Sequence, residues 1–264
     1  MAMKRFRRRA NVLHPVNSLS QDLHSEIKKL ALEKSLHWST SAGDYVNAIV
    51  KFRNEVKEHY YVQQRRRCCY CSTELLDHKI TFDAEHILDK ADYPEYMFDE
   101  ANIAVACKLC NQKKSNKAIS TSGRRFSELS KKSSDYSIVH PHLDEWNEHL
   151  DFDQVDRIVA LPNSQKGKNT IAICGITALN ATRLADAFAI EDYKVAEVTL
   201  RTFLEVEDQA RKLELLSLLD ELAQHGEPDA ATVMQALKGD VQATPQLPVV
   251  ASAVGSALIG PSAP

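Results

Sequence analysis

Residues 102–117 read N-I-A-V-A-C-K-L-C-N-Q-K-K-S-N-K. N-I-A-V-A-C predicts a short strand and N-Q-K-K-S-N-K the start of a helix, with Cys107 and Cys110 at the joint between them. A second pair of the same spacing, Cys68 and Cys71, stands upstream in C-C-Y-C. Two C-x-x-C knuckles flanking a loop can set four thiolates tetrahedrally around Zn²⁺ at about 2.3 Å, because the two-residue spacer lets each chain turn around the ion. A chance set of cytosolic cysteines is the competing reading, and two pairs together weigh against it. A redox role is disfavoured, since no thioredoxin-like βαβ pattern surrounds either pair. Cys69 and Cys174 are left over as inert thiols.

The loop between the knuckles, residues 72–106, is long enough to carry a functional insert. K-I-T-F-D-A-E-H (79–86) alternates like a strand, with Ile80, Phe82 and Ala84 on one side. Glu85 and His86 stand side by side at its end, and D-E-A-N (99–102) precedes the second strand. Each residue has an ordinary alternative: a solvated Glu85, a packed His86, a turn Asn102, a helix-capping Asn111.

In order, C-x-x-C … E-H-I … N-I-A-V-A-C-K-L-C-N-Q-K-K resembles the HNH endonuclease family over about residues 66–118. The resemblance implies an α+β protein in which a small zinc-stapled ββα-metal core is embedded among helices. It implies His86 as general base, Glu85 and Asn111 as ligands of a catalytic Mg²⁺ or Mn²⁺, and Asn102 as the residue steadying the loop that carries the base. Two departures stand out: Glu replaces the commoner Asp or His at 85, and the Pro usual after the base is missing from I-L-D-K. Such chemistry suits these residue types. A near-neutral imidazole can deprotonate water, and a hard cation offsets charge on phosphate oxygens. Lys114 and Lys117 would add charge one turn beyond Asn111, beside a helix N-terminus.

Outward from the core, residues 1–67 hold 14 Lys/Arg against 6 Asp/Glu, 68–134 balance at 10 each, and 135–264 hold 9 against 20. A basic front and an acidic back suggest that the front meets a polyanion, with two solvated faces as the alternative. Arg65, Arg66 and Arg67, with Arg53 and Lys57 on the preceding helix, are candidate phosphate contacts. So is the arm R-F-R-R-R. Residues 1–67 form a basic lead-in, with one helix from Ser18 or Ser20 to about Trp38 and a second over 44–67, the latter burying Tyr45, Ile49, Phe52, Val56 and Tyr60. The Ser/Lys-rich stretch 119–139 reads as a linker or loop. The region 140–240 reads as acidic and mostly helical, apart from a candidate strand at 168–174. Residues 241–264 read as a disordered tail.

H-P-H-L-D (140–144) reads as scaffold or cleft packing rather than a second metal site. With N-T-I-A-I-C-G-I-T-A-L-N further on, it resembles PtuB-type HNH proteins of bacterial anti-phage systems, which implies an ABC/SMC-type ATPase as partner and the acidic back half as its docking surface. No apolar run reaches the roughly 18 residues of a membrane span. The basic N-terminus lacks the apolar stretch of a secretory signal, so a cytoplasmic location is expected. The leading expectation is a metal-dependent endonuclease acting on DNA. A non-catalytic zinc module that binds nucleic acid or a protein is the alternative, and a subunit active only in a complex is a third.

Overall fold

The computed structural model describes residues 6–76 and 81–243. Most of the predicted tail, Ile80, and Arg5 of the basic arm lie outside them. The architecture is mixed α+β: eight α-helices and two small antiparallel hairpins among the described residues.

Helix α1 (Gln21–Leu32) starts where Ser20 accepts a hydrogen bond from the Leu23 amide, an N-cap that satisfies one free donor of the first turn. It stops short of the predicted end because Lys34 turns left-handed (φ 58°), leaving Trp38 on a loop. Helix α2 (Val46–Gln63) buries Ile49, Phe52, Val56 and Tyr60 of the face expected from sequence, while Tyr45 is its half-buried N-cap. Arg65 and Arg66, both at positive φ, then reverse the chain into the first knuckle.

Strands β1 (Phe82–His86) and β2 (Ile103–Cys107) pair antiparallel, Glu85 opposite Ala104 and His86 opposite Ile103, and helix α3 (Lys108–Lys114) follows directly. Gln64 ties α2 to this hairpin. Its buried amide donates to the Val105 carbonyl (2.9 Å) and accepts from the Val105 N–H (3.0 Å), replacing a missing strand neighbour.

Residues 119–139 are folded rather than free. Ser120 and Tyr136 form a β-bridge, and Ile119, Tyr136, Ile138 and Val139 are buried. A hairpin not expected from sequence follows, β3 (Leu150–Phe152) with β4 (Ile158–Ala160). The candidate strand at 168–174 is instead helix α4 (Gln165–Ile173). Its apolar run T-I-A-I fits either period. Ser164 decides the outcome by capping the Gly167 amide at 3.0 Å, reinforced by a Gln165–Asn169 bond one turn along.

Helices α5 (Ile176–Ala185), α6 (Tyr193–Glu205), α7 (Gln209–Ala223) and α8 (Asp229–Ala243) surround a core of their own, including Leu184, Phe188, Leu200, Phe203, Leu219 and Leu237. The knuckles, the first hairpin and α1–α4 share the other core. Among the described residues, no helix is long and apolar enough to cross a membrane.

Candidate functional site: a four-cysteine cluster and an adjoining cleft

Cys68, Cys71, Cys107 and Cys110 bring their sulfurs within 4.8 Å of one another. The Cys71 and Cys107 sulfurs are 3.7 Å apart. Sulfurs bound at 2.3 Å to one tetrahedral centre would sit about 3.8 Å apart, so the donor set fits zinc. Burial works against ionisation of Cys68, but hydrogen bonds with Cys107 and Cys110 outweigh it and hold its pKa well below the ordinary thiol value. Cys71 and Cys110 are pushed up, chiefly by Cys107. The cluster thus shares negative charge that a cation would meet. Cys69 and Cys174 are buried thiols outside it.

The first knuckle is braced from afar. Arg7, fully buried, donates from Nε to the Cys69 carbonyl (2.7 Å) and from its terminal nitrogens to the carbonyls of Pro141, Asp144 and His140. Trp146 Nε1 donates to the Tyr70 carbonyl (2.8 Å).

Beside the cluster, a cleft of about 780 Å³ is lined by side chains of α2, β1 and α3. Trp38, Arg53 and Lys57 stand on one side, Lys108, Asn111 and Ser115 on the other, with Asp83, Glu85, His86, Asp89 and Lys90 along the strand and its exit. Four cations therefore meet three carboxylates, an imidazole and the Asn111 amide in one concave site. Lys90, Lys108, Asp83 and Trp38 were not singled out from sequence. Asp83 had left a signal: in a strand it must share a face with Glu85.

His86 is held firmly. Its Nε2 donates to the Met97 carbonyl (3.0 Å), and the Trp38 ring meets it edge-on at 4.5 Å. That bond places the proton on Nε2 and leaves Nδ1 as the lone-pair nitrogen. Burial, with Lys90 adding to it, pushes the His86 pKa down to about 3, so the ring is neutral at physiological pH. Asn102 clamps the chain just beyond: its Oδ1 accepts from the Leu88 N–H (2.8 Å), and its Nδ2 donates to the carbonyls of Leu88 (2.9 Å) and Tyr96 (3.2 Å).

Glu85 and Lys114 are 3% and 1% exposed and form an ion pair at 2.8 Å. Tyr70 donates to the same carboxylate oxygen at 3.1 Å, and Lys114 also donates to the His86 carbonyl at 3.0 Å. Burial raises the Glu85 pKa while the Lys114 ammonium pulls it down. Lys114, expected to face a phosphate, is thus spent inside the protein. Asn111 donates to Asp83 Oδ2 (3.1 Å), whose other oxygen meets Lys108 Nζ at 2.9 Å.

The remaining expected phosphate contacts lie elsewhere. Lys117 donates to the Ile173 carbonyl, Arg67 to the Ser72 carbonyl, and Arg66 lies over the Tyr61 ring. Neither they nor Arg65 line the cleft.

H-P-H-L-D is packing, as expected. Asp144 meets Lys166 (2.7 Å) and Ser133, while His142 Nε2 donates to the Ile103 carbonyl (2.8 Å) against Tyr60. Burial pushes the His142 pKa down to about 4. As pH falls, the unfolded chain takes up this proton first, near pH 6.5. Stability is therefore complete above about pH 6.5 and is lost on the way down to about 4. At pH 5 the loss from this one residue is about 2 kcal/mol. In urea titrations at pH 7 and 5, His142→Gln, which keeps a donor for Ile103, should shrink the wild-type drop by about that amount. An unchanged drop would mean that His142 titrates no differently when folded.

Residues 1–131 match the family model described as bacteriophage lambda NinG protein, a match that takes in both knuckles, the first hairpin and α3. The chain is 32% identical over 94 residues to the NinG proteins of Escherichia phage 933W and Salmonella phage P22. It is 33% identical over the same length to that of Enterobacteria phage H19B. Each alignment covers 36% of this chain, and the chain spans about two-fifths of the length of these relatives. No solved structure matches.

Proposed function

We propose that the chain is a metal-dependent nuclease of the HNH type that hydrolyses phosphodiester bonds in DNA, its β1–β2–α3 unit stapled by zinc at the four cysteines. The observation that carries the reading is His86, which lines a cationic cleft with its Nε2 proton fixed on the Met97 carbonyl, its ring met edge-on by Trp38, and its Nδ1 left as the lone-pair nitrogen. Such a nitrogen takes a proton from water as the water attacks phosphorus. Arg53, Lys57, Lys90 and Lys108 give the cleft the charge to hold a phosphate backbone. Asn102 fixes the turn after His86 and so the position of the base. Carboxylate and amide oxygens on β1 and α3 suit Mg²⁺ or Mn²⁺, which when bound offsets the charge that builds on the phosphate oxygens. A role in anti-phage defence beside an ATPase rests on the resemblance of the outer segments alone.

The test is cleavage of supercoiled plasmid with Mg²⁺ or Mn²⁺, zinc content matched between variants. Wild type should nick or linearise the DNA, and His86→Ala should be slower by about 10²–10⁴-fold, the usual contribution of a positioned base. Equal cutting by both removes His86 from the mechanism. Silence from both favours the zinc module that binds without cutting.

A further inference from the structure

We infer that Asp83 and Asn111, and not Glu85, hold the cation of this site, and that Lys114 is the permanent internal counter-ion of Glu85. The inference rests on the nuclease reading and deepens it. Strand alternation turns Asp83 and Glu85 toward the same helix. Helix α3 answers with Lys108, Asn111 and Lys114, each three residues apart and so on one face. Asp83 meets the first two and Glu85 meets the third.

The two carboxylates differ in what a cation would have to displace. Glu85 is enclosed with Lys114 and Tyr70, and withdrawing it would strand an ammonium with no water to receive it. A divalent ion placed there would also sit beside that ammonium, like charge against like. Asp83 is open. Its side chain is 33% exposed and its ionic partner Lys108 is 59% exposed, so Lys108 can swing into solvent at little cost. Asn111 now donates its Nδ2 to Asp83. A half-turn of that amide offers its oxygen instead, giving one carboxylate and one carbonyl oxygen, with waters completing the shell as Mg²⁺ prefers. Asp83, Asn111 and His86 line one cleft, so a cation on the α3 side and the base at the strand end would flank the same phosphate.

The test is Mn²⁺ binding to the zinc-loaded full chain, followed by the loss of the free-ion electron paramagnetic resonance signal. Asp83→Asn should weaken Mn²⁺ binding by at least about tenfold, with thermal midpoint and zinc content at wild-type levels. The double variant Glu85→Gln/Lys114→Met removes the internal pair as a unit and should bind Mn²⁺ as wild type does. If the double variant loses Mn²⁺, or Asp83→Asn keeps it, the inference is overturned while a wild type that cuts DNA leaves the nuclease reading standing. A wild type that neither binds Mn²⁺ nor cuts DNA overturns both.

Discussion

Removing zinc is expected to unfold the region built on residues 6–176 while leaving α5–α8 folded. Four sulfurs within 4.8 Å of one another would, around a zinc ion, tie the first knuckle to the β2–α3 joint. Without an ion they become a packed set of thiols that share charge and repel. Binding energies for structural zinc in small modules are on the order of 10–16 kcal/mol, comparable with the whole stability of a typical domain. The C-terminal helices have their own core and lose nothing directly. Chelation, or Cys107→Ser, should therefore abolish protection from hydrogen exchange in β1, β2 and α3 and change the fluorescence of Trp146, which is tied to the knuckle through Tyr70. Amides of α6 and α7 should stay protected. A protein that retains full protection in β1 and β2 after verified loss of metal would show that the cysteines are ordinary core.

Lys114→Ala is expected to cost about 3–5 kcal/mol, the usual penalty for leaving one member of a buried pair behind. Glu85 would keep only Tyr70 as donor, in a site where its burial already raises its pKa. The substitution also strips the His86 carbonyl of a donor. The double variant Glu85→Gln/Lys114→Met should recover most of that loss, because neither group then needs a counter-ion. Denaturant midpoints of Glu85→Gln, Lys114→Met and the double form a cycle that isolates the pair. A single-variant loss below about 1 kcal/mol would place Lys114 among exposed ion pairs, contrary to its burial.

Much of this was legible in the sequence. Cysteine spacing brought the four sulfurs together, and helical periodicity found the buried face of α2. Of the residues in the order E-H … N … C-N, Glu85, His86 and Asn111 line one cleft, while Asn102 is buried behind it on the Leu88 main chain. The failures have a common cause in partners distant along the chain. A lysine three residues after Asn111 looks like a phosphate contact until β1 folds over it with Glu85. Strand alternation puts Asp83 on the face of Glu85, but its partner Asn111 lies 28 residues later. T-I-A-I at 170–173 has no period that separates strand from helix, and the deciding residue is the cap at Ser164 outside it. The hairpin β3–β4 is three residues on each side, too short for alternation to be read.

Arg7 sets the size of the smallest self-sufficient fragment. Its guanidinium joins the main chain of the first knuckle, 62 residues along the chain, to the turn at 140–144, more than 130 residues along. Gln64 and Trp146 add two more such reaches. A piece cut at 68–118, where the motifs begin and end, would expose the carbonyls these side chains now satisfy and the apolar faces of β2 and α3. The indivisible unit therefore runs from the arginine near the N-terminus past Trp146. The zinc motif marks its centre rather than its borders.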